Sequence, residues 1–481
     1  MAVESTKKLS FTEFYNVIDG KLETTKETAQ NTNPSTLEKN HPVPVSTPED
    51  VDRAVEAAKK ASEVWADVPY KERQNLVSKY ADGIDGIKEE LAVLLVKEQG
   101  KSIQLAQYEI MLAVQFLKGY AQLPDPEHVI EDKPGRRVVT KYVPLGVAVG
   151  IVPWNFPVFL ATAKIGPALI AGNAFILKPS PFTPYCGLKL AELASQYFPT
   201  GVVQALSGDD NLGPWLTAHP GVDKISFTGS TATGKKVLQS AAPTLKRVTL
   251  ELGGNDPAII CDDVDVKEIA PKIAFGALMN SGQLCMAIKR IYAHESIYDD
   301  LVKELAAAVN SFTVGDGLDS NTALGPVQNH LQFDRVKNLL ADIESQGFKL
   351  AAGSTSASTA GKGYFITPTI VENPPDDSRI VQEEPFGPVF PVLKWKDEKD
   401  VLRRANDNPM GLSASVWTKD MERAERMAGK INAGTVWINA HHELNPNVAF
   451  GGAKQSGLGA EHGIEGVKAY CTTKSLYFNA A

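Results

Sequence analysis

The sequence has few cysteines and no long hydrophobic segment, and these two shortages exclude several classes of protein. The four cysteines, Cys186, Cys261, Cys285 and Cys471, lie far apart and form no C-x-x-C pair. We therefore expect neither a disulfide framework nor a metal site. No run approaches the roughly 20 uninterrupted apolar residues of a membrane-spanning helix. The first ten residues are polar, without the apolar core of a signal peptide, so we expect a cytoplasmic protein that binds no membrane.

An excess of basic residues is also missing. The chain carries 57 acidic against 49 basic residues, a formal net charge of −8, which argues against nucleic acid as a partner. Apolar residues make up 43% and charged residues 22%, as in an ordinary globular protein. A length of 481 residues is too great for one simple core and predicts two large domains.

Short β-rich segments alternate with helical segments from residue 138 to residue 261, and a second region of the same kind follows. Such alternation predicts an α/β fold with parallel sheets, which bind ligands at the carboxyl ends of their strands. Upstream, helical periodicity predicts helices over residues 49–65, 70–97 and 101–122. The longest apolar run, residues 143–154, is interpreted as one buried strand.

The segment from Phe227 to Lys236 is typical of a turn that binds an anion. A β run ends at Thr228, small residues follow, and a helix then begins, so backbone N–H groups and the helix dipole favour a phosphate. The spacing nearly matches a P-loop, but Lys236 stands where Mg²⁺ binding needs Ser or Thr, which disfavours a nucleotide triphosphatase. A purely structural turn remains the alternative.

Three polar residues lie at predicted strand ends. Lys178 ends an apolar strand, where it either meets a ligand or is simply solvated. Asn155, between Trp154 and Phe156, could donate to an oxyanion or cap the helix predicted to begin near residue 158. Glu251 could act as a general base if apolar surroundings raise its pKa, although an exposed strand-end Glu is common.

Cys285 is the candidate nucleophile. It follows a helix and a Gly-Gln turn and precedes a strand, so a substrate can reach its thiol. Cys186 and Cys261 sit in apolar elements and are expected to be inert. A buried structural cysteine is the alternative for Cys285.

In this order, five residues form a pattern that resembles the aldehyde dehydrogenase superfamily: Asn155, Lys178, Gly229, Glu251 and Cys285. Glu384-Pro-Phe-Gly-Pro388 is similar to the family's E-x-F-G-P motif, and residues 450–457 are similar to its F-G-G-x-K-x-S-G motif. The resemblance covers essentially the whole chain, from about residue 15 to residue 478.

The resemblance implies three structural parts. A Rossmann-like dinucleotide-binding domain would comprise residues 1–125 and 145–253, and an α/β catalytic domain residues 254–452. A small β extension for oligomerisation, residues 126–144 and 453–481, would support a homodimer or homotetramer. A C-terminal edge strand predicted at residues 474–478 agrees with such an assembly, because a strand at a chain end often pairs with a partner subunit.

The resemblance also implies the chemistry. Cys285 would attack an aldehyde to give a thiohemiacetal and, after hydride transfer to NAD or NADP, a thioester. Asn155 would hold the oxyanion, and Glu251 would activate the water that releases a carboxylic acid.

The implied cofactor-binding residues are Val152, Pro153, Trp154, Lys178, Ser180, Pro181, Gly229, Ser230, Gly234, Leu252, Glu384 and Phe386. Of these, Lys178 would hold the adenosine ribose, and Gly229 with Ser230 the pyrophosphate. Glu384 and Phe386 would position the nicotinamide ribose and ring.

This sequence departs from the family pattern at three places. Pro181 replaces a Glu that repels a 2′-phosphate in many NAD-preferring members, so discrimination against NADP should be weak. Ala163 replaces a Trp, which suggests a wider substrate tunnel for an aromatic or bulky aliphatic aldehyde. That tunnel would be lined by Phe156, Phe159, Ala163, Leu284, Met286 and Phe450. The polar loop at residues 441–446 could contact substrate, but the favoured interpretation is that it is solvated.

Other functions fit the residues less well. A non-catalytic binding or structural protein on the same fold would not need both Cys285 and Glu251. A Cys–His hydrolase lacks a motif that pairs a histidine with Cys285 and would leave the cofactor motifs unexplained. A CoA-acylating member of the family would lack the base, Glu251.

Overall fold

Two sheets of mostly parallel strands, each covered by helices, form the frame of the structure. The computed structural model describes residues 8–356 and 362–480. Its strands are β1 (Asn16–Ile18), β2 (Lys21–Glu23), β3 (Thr28–Ala29), β4 (Val43–Pro44), β5 (His128–Lys133), β6 (Arg136–Pro144), β7 (Val147–Ile151), β8 (Ala174–Lys178), β9 (Val203–Ala205), β10 (Lys224–Thr228), β11 (Arg247–Glu251), β12 (Asp256–Ile260), β13 (Ile288–His294), β14 (Leu350–Ala352), β15 (Thr369–Glu372), β16 (Val389–Trp395), β17 (Met410–Gly411), β18 (Ser413–Trp417), β19 (Thr435–Ile438), β20 (Ala453–Lys454), β21 (Gly457–Leu458) and β22 (Cys471–Asn479).

The helices connect these strands, as parallel pairing requires. They are α1 (Pro48–Ala66), α2 (Tyr70–Asp85), α3 (Lys88–Gln99), α4 (Ile103–Tyr120), α5 (Pro157–Ala171), α6 (Tyr185–Ala194), α7 (Leu212–Ala218), α8 (Thr231–Ala241), α9 (Val266–Leu278), α10 (Tyr298–Asn310), α11 (His330–Ser345), α12 (Arg379–Gln382), α13 (Glu398–Asn406), α14 (Met421–Ala428) and α15 (Gly463–Lys468). None of those within the described ranges is both long and apolar enough to cross a membrane.

The first sheet has the strand order β2-β1-β9-β8-β7-β10-β11-β21. Strands β9, β8, β7, β10 and β11 run parallel. After β7 the chain adds β8 and β9 on one side and β10 and β11 on the other. The crevice between the carboxyl ends of β7 and β10 is therefore the topological switch point, where open α/β sheets bind their ligands.

The second sheet has the order β14-β15-β16-β13-β12-β18-β19, and all of its strands except β14 run parallel. The chain passes directly from the first sheet to the second, because β11 ends at Glu251 and β12 begins at Asp256. Cys285 lies just before β13, the neighbour of β12. This crossing brings Glu251 and Cys285 to the same place from different sheets.

A third sheet, β22-β6-β5, is antiparallel and has three strands. The predicted C-terminal edge strand is confirmed, with the wider bounds Cys471–Asn479. The residues before it pair elsewhere, since β20 pairs with β17 and β21 with β11. The segment 453–481 therefore contributes strands to three sheets.

Two predicted elements were wrong. The helix predicted over residues 70–97 is divided into α2 and α3 at Gly86 and Ile87, and glycine is a poor helix former. The strand predicted over residues 143–154 is the end of β6 and the whole of β7, which belong to different sheets. Pro144 ends β6, and Gly146 follows with a φ of 125° that redirects the chain.

A fully buried ion pair attaches α4 to the start of α5. The Lys101 ammonium contacts the Glu109 carboxylate, and both side chains are 0% exposed. The other carboxylate oxygen of Glu109 accepts hydrogen bonds from the backbone N–H groups of Val158 (2.8 Å) and Phe159 (3.1 Å) in the first turn of α5. The pair therefore fixes the helix that follows the strand end of β7.

We expect Lys101→Met to destabilise the fold by about 3–5 kcal/mol, because it leaves a buried carboxylate without its cation. Urea unfolding measures this, and the double variant Lys101→Met with Glu109→Gln should recover part of the loss. Lys60→Met, which removes an exposed ion pair with Glu56, is the control and should leave the midpoint unchanged. A loss below about 1 kcal/mol for Lys101→Met contradicts the expectation.

Candidate active site

The switch point of the first sheet carries the residues predicted to bind a dinucleotide. Val152, Pro153 and Trp154 directly follow β7, and Gly229 and Ser230 follow β10. Ser230 caps α8, its hydroxyl accepting from the Thr233 N–H at 3.2 Å, so the positive end of the helix dipole faces the crevice. Gly234 packs on Leu252, whose side chain leaves no room for a Cβ there.

Lys178 supplies a cation at the end of β8. Its side chain is buried, and its ammonium donates to the neighbouring Pro179 carbonyl at 3.3 Å. Burial lowers the pKa of Lys178 to about 8, against the opposing effect of Asp210 and Asp209. The interpretation of Lys178 as a solvated strand end is therefore wrong. A helix N-terminus and a buried ammonium that can donate further hydrogen bonds fit a pyrophosphate and a ribose.

Asn155 faces the nucleophile loop and does not cap a helix. The N-cap of α5 is Phe156, and no side chain caps it by a hydrogen bond. The Asn155 amide donates to the Gln283 carbonyl at 3.0 Å, while its own backbone carbonyl accepts from Lys101 (2.9 Å) and Asn280 (3.2 Å). One amide hydrogen is used by Gln283, and the second can be offered to a substrate oxygen.

The turn before Cys285 has an unusual backbone. Asn280, Ser281 and Gly282 are consecutive residues with φ values of 54°, 55° and 72°. Gly282 also packs so closely that an added Cβ would lie 2.2 Å from the carbonyl oxygen of Gly387. The G-Q-x-C turn and the E-x-F-G-P segment are thus in direct contact, and glycine is required where they meet.

Side-chain hydrogen bonds hold this strained turn in place. Ser281 donates to the Gly325 carbonyl at 2.7 Å. Gln283 donates to the Asn280 carbonyl at 2.9 Å, and its own side-chain oxygen accepts from the Gln328 N–H at 2.8 Å. Such support is needed because non-glycine residues in the left-handed region cost about 1–3 kcal/mol each.

The two glycines after Glu251 admit two other parts of the site. A Cβ on Gly253 would lie 2.4 Å from a carboxylate oxygen of Glu384, and one on Gly254 would lie 2.8 Å from the Cys285 carbonyl oxygen. The Gly254 N–H donates to Glu384 at 3.2 Å. Phe386 makes an edge contact with Trp154, with ring centroids 5.4 Å apart. Residues predicted to bind the nicotinamide half therefore meet beside Cys285.

Glu251 is buried, so its interpretation as an exposed strand-end residue is wrong. Burial, assisted by the charge of Glu461, raises the pKa of the Glu251 carboxyl to about 7, while Cys285, Lys164 and Thr228 act in the opposite direction. A carboxyl that titrates near neutral pH is suited to act as a general base.

Glu461 belongs to a buried polar cluster next to Glu251. Its carboxylate contacts the Lys164 ammonium and accepts from the Ser226 hydroxyl at 2.9 Å. Lys164 also donates to the Thr228 hydroxyl at 2.8 Å. Burial opposes ionisation, but Lys164, His462 and Ser226 together hold the pKa of Glu461 below its usual value.

As a residue Cys285 is partly exposed, whereas the other three cysteines are buried. Burial first, and then the Glu251 charge, raise the pKa of the Cys285 thiol well above its ordinary value, and Lys289 opposes this rise. Burial also raises the thiol pKa values of Cys186 and Cys261, and these two residues, unlike Cys285, are buried away from a substrate, as expected for inert cysteines.

One cavity joins the three predicted catalytic side chains to an apolar channel. It is lined by Tyr108, Leu112, Asn155, Phe156, Phe159, Leu160, Glu251, Met279, Leu284, Cys285, Met286, His442, Leu444, Phe450, Glu461 and His462. Five of the six predicted tunnel residues are among them. Ala163 is not, because it is buried in α5 one turn beyond Phe159 and Leu160.

The loop at residues 441–446 is not simply solvated, so the favoured interpretation was wrong for its two histidines. The Nε2 atoms of His441 and His442 lie 2.8 Å and 3.2 Å from the Met286 carbonyl oxygen and donate to it. Burial lowers the pKa of His442 to about 3, so its ring is neutral. His442 therefore lines the cavity as an uncharged group, hydrogen-bonded to Met286.

Comparison with known proteins places this geometry in a family. Residues 22–476 match the aldehyde dehydrogenase family. A putative aldehyde dehydrogenase of Gibberella fujikuroi, FUS7, is 43% identical over 98% of this chain and 99% of its own length. The chain belongs to the aldehyde dehydrogenase family. The predicted family and the prediction of an enzyme are thereby confirmed.

Further relatives agree with the fold and the cofactor type. The phenylacetaldehyde dehydrogenase of Pseudomonas fluorescens is 38% identical over 92% of this chain and 91% of its own. The betaine aldehyde dehydrogenase of Staphylococcus aureus, solved in complex with NAD⁺, is 33% identical with a TM-score of 0.94, covering 98% of this chain and 95% of its own. The predicted α/β fold is confirmed, and the predicted cofactor, NAD or NADP, agrees with that complex.

Sequence reasoning missed several residues that this aldehyde dehydrogenase places at the site. Glu461 follows the motif at residues 450–457 closely but belongs to no motif itself, and His442 stands in the polar loop at residues 441–446, for which a solvated loop was the favoured interpretation. Lys101 and Lys289 carry a weak signal, since each is a charged residue within an otherwise apolar or motif-rich segment.

Proposed function

We propose that this enzyme oxidises an aromatic or bulky aliphatic aldehyde to its carboxylic acid through a covalent intermediate on Cys285, with NAD or NADP as oxidant. The observation that carries the proposal is one cavity that contains Cys285, Glu251 and Asn155 beside the dinucleotide crevice. We further propose that the protein is cytoplasmic and that it assembles as a homodimer or homotetramer through the β22 edge.

Cys285 attacks the carbonyl carbon after its proton has left. Its thiol pKa is raised by burial, so the nucleophile depends on a nearby base. Glu251 is that base, because its carboxyl faces Cys285 and its pKa of about 7 allows it to accept a proton near neutral pH.

Attack creates a negatively charged oxygen that must be stabilised. The Asn155 amide hydrogen that Gln283 does not use, together with the Cys285 backbone N–H, donates to this oxygen. Removal of one such donor typically raises the barrier by about 3–4 kcal/mol. The Lys101 and Asn280 contacts to the Asn155 carbonyl keep the amide in place.

A bound NAD or NADP would supply the hydride acceptor here, and loss of hydride from the carbon attached to Cys285 would leave a thioester on that residue. Lys178, Gly229 and Ser230 would hold the adenosine and pyrophosphate half, while Glu384 and Phe386 would hold the nicotinamide half. Glu251 first releases the Cys285 proton to solvent and then takes a proton from water, whose oxygen attacks the thioester carbon and displaces the Cys285 sulfur as a thiolate. The carboxylic acid leaves, and the Cys285 sulfur is free again.

The lining of the channel supports the substrate class. Aromatic and long aliphatic side chains dominate it, and the neutral His442 and His462 add no charge. Burial of an apolar substrate group there is favourable by about 25 cal/mol per Å². The relative from Pseudomonas fluorescens, named for an aromatic aldehyde, is consistent with this class.

An aldehyde panel tests the proposal. With either cofactor, we expect kcat/KM for phenyl-bearing and long-chain aldehydes to exceed that for acetaldehyde by at least about tenfold, since the larger groups bury more apolar area. Cys285→Ala should lower kcat by at least about 10⁴-fold, whereas the control Cys261→Ala should retain activity. Native turnover by a folded Cys285→Ala enzyme would refute the proposed nucleophile.

The pH dependence of turnover tests Glu251. Activity should rise with pH through about 7, because the base must lose its proton before it can accept another. Glu251→Gln should remove this rising limb of the pH profile and lower kcat by about 10²–10⁴-fold. Because Glu251 also accepts the Cys285 proton, reduced cofactor should form more slowly in this variant and should not exceed about one equivalent per site before turnover stalls at the thioester.

Glu295→Gln is the matched control, because Glu295 pairs with Lys396 on the surface. That variant should keep both the pH limb and the rate. A Glu251→Gln enzyme with an unchanged limb near pH 7 is the result that rejects Glu251 as the base.

Cofactor preference tests the role of position 181. Pro181 is exposed and carries no negative charge, so the ratio of kcat/KM for NAD over NADP should stay below about 10³, or roughly 4 kcal/mol. Pro181→Glu should raise that ratio at least about tenfold by repelling the 2′-phosphate. The neutral control Pro181→Gln should not. Equal ratios for the two variants would show that charge at this position is irrelevant.

A further inference from the structure

Lys289 lies at an irregularity in β13. Ile288 pairs with Asp256, and the next paired residue, Arg290, faces Pro257, so Lys289 is the extra residue of a bulge. Bulges re-aim side chains and are frequent beside active sites. Arg290 donates to the Asn255 carbonyl at 2.8 Å and the Ala405 carbonyl at 2.9 Å, whereas Lys289 is directed to Cys285.

The Lys289 ammonium connects two parts of the site. It donates to the backbone carbonyl of Cys285 and lies 3.1 Å from a carboxylate oxygen of Glu384. The side chains of Lys289 and Glu384 are 4% and 10% exposed. Buried charges are tolerated when they are paired, and a pair this close to a nucleophile fixes both the geometry and the local field.

We propose that Lys289 is a positioning residue, which fastens Glu384 to the nucleophile loop and keeps a cation beside Cys285. The bulge is what allows this, because a regular β13 would not present Lys289 to the loop in this way. The Gly254 N–H, which also donates to Glu384, completes a junction of three chain segments. The proposal rests on the proposed function in one respect, the assignment of Cys285 as nucleophile.

The charges around the Cys285 thiol determine in which direction each substitution should change the fraction of thiolate. Glu251 from the end of β11 and Glu384 from the segment after α12 both disfavour the Cys285 thiolate, in addition to burial, and Lys289 favours it. Asp256 at the start of β12 also faces Lys289, as do His441 and His442 from the loop after β19. Loss of Lys289 and loss of the Glu384 charge should therefore move the thiolate population in opposite directions.

Alkylation of the full-length enzyme without cofactor measures that population. Iodoacetamide reacts with the thiolate, and mass spectrometry of the Cys285 peptide gives the rate at each pH. Lys289→Met should shift the midpoint of the rate profile upward by about one pH unit and slow labelling below the midpoint about tenfold. Lys289→Arg should restore most of the rate, and Lys396→Met, on the surface, should change nothing.

Glu384→Gln is the second arm, since it preserves shape while removing a charge. It should shift the midpoint downward, and this arm remains decisive if Lys289→Met does not fold. An unchanged midpoint in either variant, or shifts of both in the same direction, overturns the role of Lys289. A separate outcome concerns the Cys285→Ala variant. If iodoacetamide labels another cysteine of that variant as fast as it labels the native enzyme, the assignment of Cys285 as nucleophile is overturned, and with it the proposed function.

Discussion

The close approach of three chain segments at Gly253 and Gly254 is the constraint on which the site depends. At Gly254 the Cys285 carbonyl, Asp256 and Leu412 all lie where a side chain would be. At Gly253 the Glu384 carboxylate occupies that space. The chain crosses here from one sheet to the other, so this single contact sets the distance between a base on the first sheet and a thiol that precedes a strand of the second. Without it, the two sheets would carry the same residues and no common cavity.

Burial then gives these residues their chemistry. Glu251, Lys178 and Cys285 are all taken out of water, and in each case the charged form becomes less favourable. The cations of two nearby ion pairs moderate the effect on Glu251 and Cys285: Lys164, paired with Glu461, on one side of the cavity, and Lys289, paired with Glu384, on the other. The site is therefore a low-dielectric space whose fixed charges largely cancel in pairs.

Much of the fold was predictable because it depends on local pattern. Alternation of strand and helix predicted parallel sheets, and the strand ends that carry Lys178 and Glu251 predicted the edge at which a ligand binds. Cys285 was identifiable because a loop thiol after a Gly-Gln turn is unusual. The break at Gly86 and the change of sheet after Pro144 were missed, because helical or apolar character continues across each and the boundary is set by a single backbone conformation.

The site residues that were not predicted from the sequence reach the site through tertiary contacts that no local sequence pattern encodes. Lys289 reaches the site through a bulge, and a bulge is a matter of register between β12 and β13 rather than of residue type. Glu461 arrives from a segment more than 200 residues beyond Glu251 along the chain. Lys101 donates to the main-chain carbonyl of Asn155. Every residue has such a carbonyl, so the residue type at position 155 gives no sign of this contact.

His441 and His442 share one hydrogen-bond acceptor, the Met286 carbonyl oxygen, and this arrangement bears on how substrate binding and turnover depend on pH. Both rings donate to one carbonyl oxygen, so both carry a proton on Nε2. Burial lowers the pKa of His441 well below its ordinary value and that of His442 to about 3, so both rings are uncharged. These two histidines of the channel wall therefore stay uncharged across the physiological range. Their contact with a neutral aldehyde does not depend on acidity, while the rate of its conversion follows the proton on Glu251.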